Sequence, residues 1–267
     1  MNMYWHELKS LRKSTILWAC AIIALAALFL SVYPGVAKDA EDFKKLLTGY
    51  PPAIRAMLGV NLDYFSSILG FYSMVFSFIL LCGAIQGMHV GISILSKESR
   101  ERTADFLLVK PVSRPAIVSA KLLASITMLL VTDIVFYAAL SILVRLVNTG
   151  SYDEKTFFLI NLTLLFMQLI FFAIGMFISV FFNKLRSALP ISLGVVFGFY
   201  IIGVLISTGK NEKLVRYLSP FNYFNTAYII NHTAYKFSYL ITGAAIFLIA
   251  IAASYVIYTK KDIHAVN

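Results

Sequence analysis

Six long apolar runs dominate this chain: 14–34, 65–95, 117–147, 157–182, 187–208 and 238–258. A helix needs about 20 mostly apolar residues to cross the hydrocarbon core of a bilayer, and each run supplies them. The second and third are longer, so they are expected to tilt or to continue beyond the bilayer as helix. Backbone in lipid must satisfy its own hydrogen bonds, which makes these runs helices rather than irregular structure. A membrane β-barrel would instead show segments of about ten alternating residues, and Ile246–Ala253 does not alternate. The fold class is therefore all-α integral membrane, a single transmembrane domain over 1–267 with six transmembrane helices. Composition agrees: 60% of residues are hydrophobic and 13% charged, against about 25% charged in a soluble globular chain. Too little charge remains to cover a water-facing surface.

Short basic clusters set the expected orientation. Lys9, Arg12 and Lys13 precede the first span. Lys97, Arg100, Arg102, Lys110, Arg114 and Lys121 lie between the second and third. Lys184 and Arg186 separate the fourth and fifth, and Lys260 and Lys261 follow the sixth. Dense Lys and Arg next to spans mark the cytoplasmic side, so both termini are expected inside. The net charge of +10 is spread over these clusters and forms no nucleic-acid patch. Cys20 and Cys82 both fall in apolar runs, with neither a disulfide framework nor metal-ligand spacing. The first apolar run exceeds a signal-peptide core of roughly 7–15 residues, so it is expected as a retained span.

Residues 1–13 place Tyr4, Trp5, Leu8 and Leu11 at helical spacing opposite Lys9, Arg12 and Lys13, the pattern of an N-terminal interfacial helix. The external loop 35–64 carries mixed charge with Pro51 and Pro52 and is expected as a small surface subdomain. Residues 209–237 are rich in Tyr and Phe. They fit short external helices between spans five and six, or an ordinary aromatic belt.

The chemically informative stretch is the second basic loop, 96–115. It opens with charge, turns apolar at Phe106, Leu107 and Leu108, and meets Pro111, which stops a helix. An apolar cluster in such a loop is either a docking surface for another protein or a helix resting on lipid headgroups. Glu98, Glu101, Thr103, Asp105, Leu107, Leu108, Pro111, Ser113, Arg114 and Lys121 occur in an order that resembles the coupling-helix region of the membrane subunit of type-2 ATP-binding-cassette exporters. Arg102 stands where that family often has Gly. Tyr217-Leu218-Ser219-Pro220-Phe221-Asn222-Tyr223 resembles the segment after the fifth span in the same family. The subgroup most alike contains permeases of bacitracin-type resistance, nitrous-oxide-reductase maturation and toxic-peptide export.

The resemblance implies the permease half of a primary exporter, as a homodimer or a heterodimer with a paralogous permease, set in membrane lipid. Two copies of a cytoplasmic ATPase subunit would grip the coupling segment 98–114 through Glu98, Glu101, Thr103, Asp105, Phe106, Leu107, Leu108, Pro111 and Arg114. ATP and Mg would sit on that partner, because the sequence has no Gly-x-x-x-x-Gly-Lys-[Ser/Thr] phosphate cradle. No catalytic residue and no cofactor is expected on this chain.

Four polar residues within the spans are candidates for a substrate pathway: Gln86, His89, Asp133 and Gln168. Asp133 stands mid-span, where a carboxylate is costly. It either contacts substrate, pairs within a dimer, stays protonated or bonds to a neighbouring helix. His89 lines a pathway or is a satisfied structural residue, and Gln168 is expected to bond across helices. Gly194 and Gly198 have the spacing of a close helix–helix contact, and Pro190 is expected to kink the fifth span. An intramembrane enzyme would need a convergent set that His6, His89, His232 and His264 do not form. An ion-coupled transporter or channel would place several ionisable groups at the midplane, where Asp133 is nearly alone. Few charges and many aromatic residues suit an amphipathic or hydrophobic cargo, such as an antimicrobial or cytolytic peptide, a drug or a lipid-like molecule.

Overall fold

The computed structural model describes residues 2–62, 64–101, 113–148, 150–181, 187–208 and 215–260. Its elements in chain order are α1 (Asn2–Lys38), α2 (Ala40–Thr48), α3 (Pro52–Met57), α4 (Ile68–Glu101), α5 (Arg114–Val147), α6 (Glu154–Phe181) and α7 (Ala188–Thr208). Two 3₁₀ turns, Val215–Leu218 and Pro220–Asn222, then lead to α8 (Thr226–His232) and α9 (Phe237–Lys260). Among the described residues there is no strand. Six of these helices, α1, α4, α5, α6, α7 and α9, are long and apolar enough to span a membrane.

The N-terminal segment is not a separate interfacial helix. It runs without a break into the first span as a single helix of 37 residues, about 55 Å long at 1.5 Å per residue. Lys9, Arg12 and Lys13 mark a change of polarity, but these residues favour helix and do not interrupt it. The same helix passes through Pro34 to Lys38. Between spans one and two, α2 and α3 bury no residue, although the Tyr200 hydroxyl on α7 donates to the Met57 carbonyl at the end of α3.

Local chemistry sets several boundaries. Pro115 sits in the first turn of α5, after Ser113 in extended conformation, where a missing amide donor costs no hydrogen bond. Pro190 lies in the first turn of α7 for the same reason, at the mouth of the helix. The Asp153 carboxylate caps α6 by accepting from the backbone amides of Lys155 and Thr156 at 3.3 and 3.1 Å and from the Thr156 hydroxyl. These donors hold its carboxyl below the usual carboxylate range. Asn225 caps α8 by accepting from the Tyr228 amide at 2.9 Å, and Thr233 closes that helix in the left-handed region at φ 47°.

Two spans form the centre. In its most apolar stretch α4 is 72% buried and α6 61%, whereas the other four reach only 11–28%, so those four surround the pair and present much of their surface outward. The α4–α6 contact is the most extensive in the fold, followed by α1 against α5 and α9 against α6. A Cβ added at Gly87 would lie 2.3 Å from the Gln168 carbonyl oxygen, and one at Gly91 2.2 Å from that of Phe172. The two backbones therefore touch, and the register advances in the same direction, so α4 and α6 run parallel. Gly194 and Gly198 on α7 have the same spacing but meet nothing within 4 Å. The close contact between spans is made by α4 instead.

Candidate functional site

The segment expected to couple the chain to an ATPase, 98–114, connects α4 to α5 in the sequence. Glu98 and Glu101 lie in the last turns of α4, and Arg114 opens α5. Thr103, Asp105, Phe106, Leu107, Leu108 and Pro111 lie outside the described residues. What the structure does describe is how the two helices leaving this segment are tied together.

The first tie is at the segment's base. Lys121, seven residues into α5, is fully buried. Its ammonium donates to the Ile94 carbonyl near the end of α4 at 2.6 Å and stands 3.7 Å from Glu7 Oε1 on α1. Glu7 is 4% exposed, and its Oε2 has no hydrogen-bond partner among the described residues. A buried charge is tolerated when it is paired and hydrogen-bonded. One ammonium thus joins three helices within a few residues of the coupling segment. Close by, the Tyr4 hydroxyl is 3.0 Å from the Thr127 hydroxyl, a second link between α1 and α5.

The second tie is deeper in the bundle. Gln86 on α4 donates to the Thr132 hydroxyl on α5 at 3.1 Å and accepts from the Gln168 amide on α6 at 3.2 Å. All three side chains are buried. Thr132 also donates to the Met128 carbonyl, 3.0 Å away, so its hydroxyl is satisfied in both roles. Nearer the far end, the Tyr72 hydroxyl donates to Asn161 Oδ1 at 2.8 Å, adding another α4–α6 bond. Hydrogen bonds of this kind replace the missing hydrophobic drive between helices in lipid.

The pathway candidates separate on this geometry. Gln86 and Gln168 are brought together and bonded to each other. His89 lies half-buried one turn further along α4. Asp133 follows Thr132 on α5, and both its carboxyl oxygens are buried without a hydrogen-bond partner among the described residues. The bond to a neighbouring helix considered for it is thus absent there. No group of three or more His, Cys, Asp or Glu able to hold a metal ion occurs among the described residues.

Sequence reasoning passed over Glu7, Thr132 and the α4 glycines. The signal for Glu7 was present: a carboxylate on the same helical face as Tyr4 and Leu11, facing a lysine embedded in an apolar run. Thr132 offered none, since a threonine in a membrane helix ordinarily bonds its own turn.

The second and third spans of this six-span helical bundle are thus tied to each other beside the segment 98–114 and again deeper in the bundle. The profile of the ABC-2 family transporter protein matches residues 1–263. The chain belongs to this family. It is a multi-pass membrane protein and a permease subunit of the ABC-2 type. Membership implies an ATPase partner, since ABC-2 permeases are transport subunits that lack an ATPase site of their own. No curated protein matches the chain.

Proposed function

We propose that this ABC-2 permease is the membrane half of an ATP-driven exporter that moves a hydrophobic or amphipathic substrate, such as a cytolytic peptide, a drug or a lipid-like molecule, outward across the cytoplasmic membrane. Two permease copies, identical or paralogous, flank the pathway. Two ATPase subunits dock from the cytoplasm on 98–114, with Phe106, Leu107 and Leu108 as the apolar contact and Glu98, Glu101, Thr103, Asp105 and Arg114 around it. Nucleotide and Mg sit on the ATPase subunits.

The observation that carries this reading is the Lys121 tie. A displacement of the coupling segment reaches α4 and α5 together, because Lys121 bonds the Ile94 carbonyl at 2.6 Å, and reaches α1 through Glu7. Coupling requires an element with two arrangements that the partner biases, and three helices moving as one unit suit that role. The scarcity of charge along the spans supports an apolar cargo over a strongly charged sugar.

The test is co-purification with an ATP-binding-cassette ATPase subunit co-expressed as its partner, followed by ATP hydrolysis in liposomes. Serine at Phe106, Leu107 and Leu108 together is expected to abolish co-purification and substrate-stimulated hydrolysis while the permease itself still folds. Full assembly and transport by that variant would remove the docking role. Transport that stops when the proton gradient collapses at constant ATP would assign the chain to ion-coupled transport instead.

A further inference from the structure

The segment between the first two spans carries an apolar stripe that the bundle leaves half uncovered. In α2 and the turn after it, Phe43, Leu46, Leu47 and Tyr50 recur at the spacing of one helical face. Glu41, Lys44 and Lys45 lie on the other side. Leu47 packs against the core of the bundle. Phe43, Leu46 and Tyr50 stay exposed, Leu46 by 67%, and so do Ile54 and Met57 on α3.

The anchors of this segment fix its level. Only Asp39 separates α2 from α1, and its amide still donates to the Gly35 carbonyl at 3.3 Å. The helix therefore begins where the first span ends, and Leu47 holds its last turn down on the bundle. After α3 the chain drops below the helix ends. The Met57 carbonyl accepts from Tyr200, a residue two turns short of the end of α7. Gly59, at φ 67°, lies directly against the side chain of Ser77, more than two turns into α4. At 1.5 Å per residue, Tyr200 and Ser77 are about 12–14 Å inside the ends of their helices. A segment pinned at this depth does not stand clear in water as a subdomain. It lies along the outer edge of the hydrocarbon, where its stripe continues the exposed apolar surface that α1 presents through Leu28 and Val32.

We propose that α2 is an anchor in the outer leaflet, with Phe43, Leu46 and Tyr50 sunk among lipid acyl chains and Glu41, Lys44 and Lys45 turned to water. Ile54 and Met57 extend the same contact. A helix lying in this way sits about 5–10 Å into the boundary between headgroups and acyl chains. Its polar side sets Glu41 and Asp42 against Lys44 and Lys45, with Asp42 and Lys45 paired at 3.0 Å, so apolar area rather than an anionic headgroup holds it. A helix of nine residues is too small a face for a stable contact between copies, which needs on the order of 800 Å² per partner. The anchor is independent of the segment 98–114 and of the cargo.

The test uses the full-length chain in phosphatidylcholine liposomes, with Cys20 and Cys82 replaced by alanine. A nitroxide is attached to Phe43→Cys, Leu46→Cys, Glu41→Cys or Lys44→Cys, one at a time. Power-saturation electron paramagnetic resonance then compares its accessibility to oxygen, which concentrates among acyl chains, with that to a water-soluble nickel chelate. Labels on Phe43→Cys and Leu46→Cys are expected to favour oxygen, and labels on Glu41→Cys and Lys44→Cys the chelate. All four native side chains are exposed, so the labels disturb no core, and the polar-side pair serves as the folded control. Preference for the chelate at both Phe43→Cys and Leu46→Cys would place the stripe in water and overturn the proposal. Exclusion of both reagents there would mean cover by protein or cargo, and would overturn it equally.

Discussion

Alanine at Gly87 or Gly91 should force the two central spans apart. An ordinary carbon–oxygen contact lies at about 3.3 Å, and the new Cβ atoms would stand 2.3 and 2.2 Å from the Gln168 and Phe172 carbonyl oxygens. The overlap is with backbone, which cannot rotate away, so α4 and α6 must separate by about 1 Å at each site. Overpacking of this kind costs about 1–3 kcal/mol, offset by the gain of up to about 1 kcal/mol when alanine replaces glycine in a helix. The net expectation is a loss of about 1–2 kcal/mol per substitution. Gly194→Ala and Gly198→Ala meet nothing within 4 Å, keep only the propensity gain, and should be stabilising by about 0.5–1 kcal/mol. Reversible unfolding by sodium dodecyl sulfate in mixed micelles would measure all four. If the α4 and α7 variants agree within about 0.5 kcal/mol, helix contact is not what distinguishes these glycines.

Three further outcomes follow from the polar ties and the helix cap. Lys121→Met should cost about 3–5 kcal/mol by stranding the buried Glu7 carboxylate, and adding Glu7→Gln to it should recover part of that loss; strictly additive losses in the same unfolding assay would refute the pairing. Gln86→Leu should cost about 1–2 kcal/mol, because Gln168 and Thr132 lose a common partner. Combining it with Gln168→Leu should add little, and independent losses would show that the two side chains do not interact. Asp153 has its carboxyl held below its ordinary value, so the stability it lends is present above the unfolded value, near about 3.9, and lost as pH falls through the folded one. Asp153→Asn should flatten that acid limb in a melting-temperature profile, and an unchanged limb would rule out its contribution.

Much of the fold was legible because the membrane imposes so simple a length rule: about 20 apolar residues per crossing. Each of the six runs meets it whatever its partners, and α1, α4, α5, α6, α7 and α9 are such helices. Gln86 and Gln168 were legible as polar groups in apolar surroundings, where an unpaired amide is costly. What the sequence concealed is which face of each helix meets another. Gly87-x-x-x-Gly91 and Gly194-x-x-x-Gly198 read alike, yet the first lies under another backbone and the second is open. The continuity of α1 was hidden for a related reason. Lys9, Arg12 and Lys13 report a change of solvent, and solvent does not decide whether good helix formers continue a helix. The partner of Lys121 lies 114 positions upstream, and no local pattern reports a contact at that range.

Backbone contact along the second and fourth spans also bears on how an opening could form. Two parallel rods that touch through bare main chain, with Tyr72–Asn161 and Gln86–Gln168 pinning their rotation, cannot slide past each other without breaking several bonds at once. They therefore travel as one piece. The freedom to widen a passage must come from the outer helices, whose apolar stretches are far less enclosed by the rest of the bundle than those of the central pair.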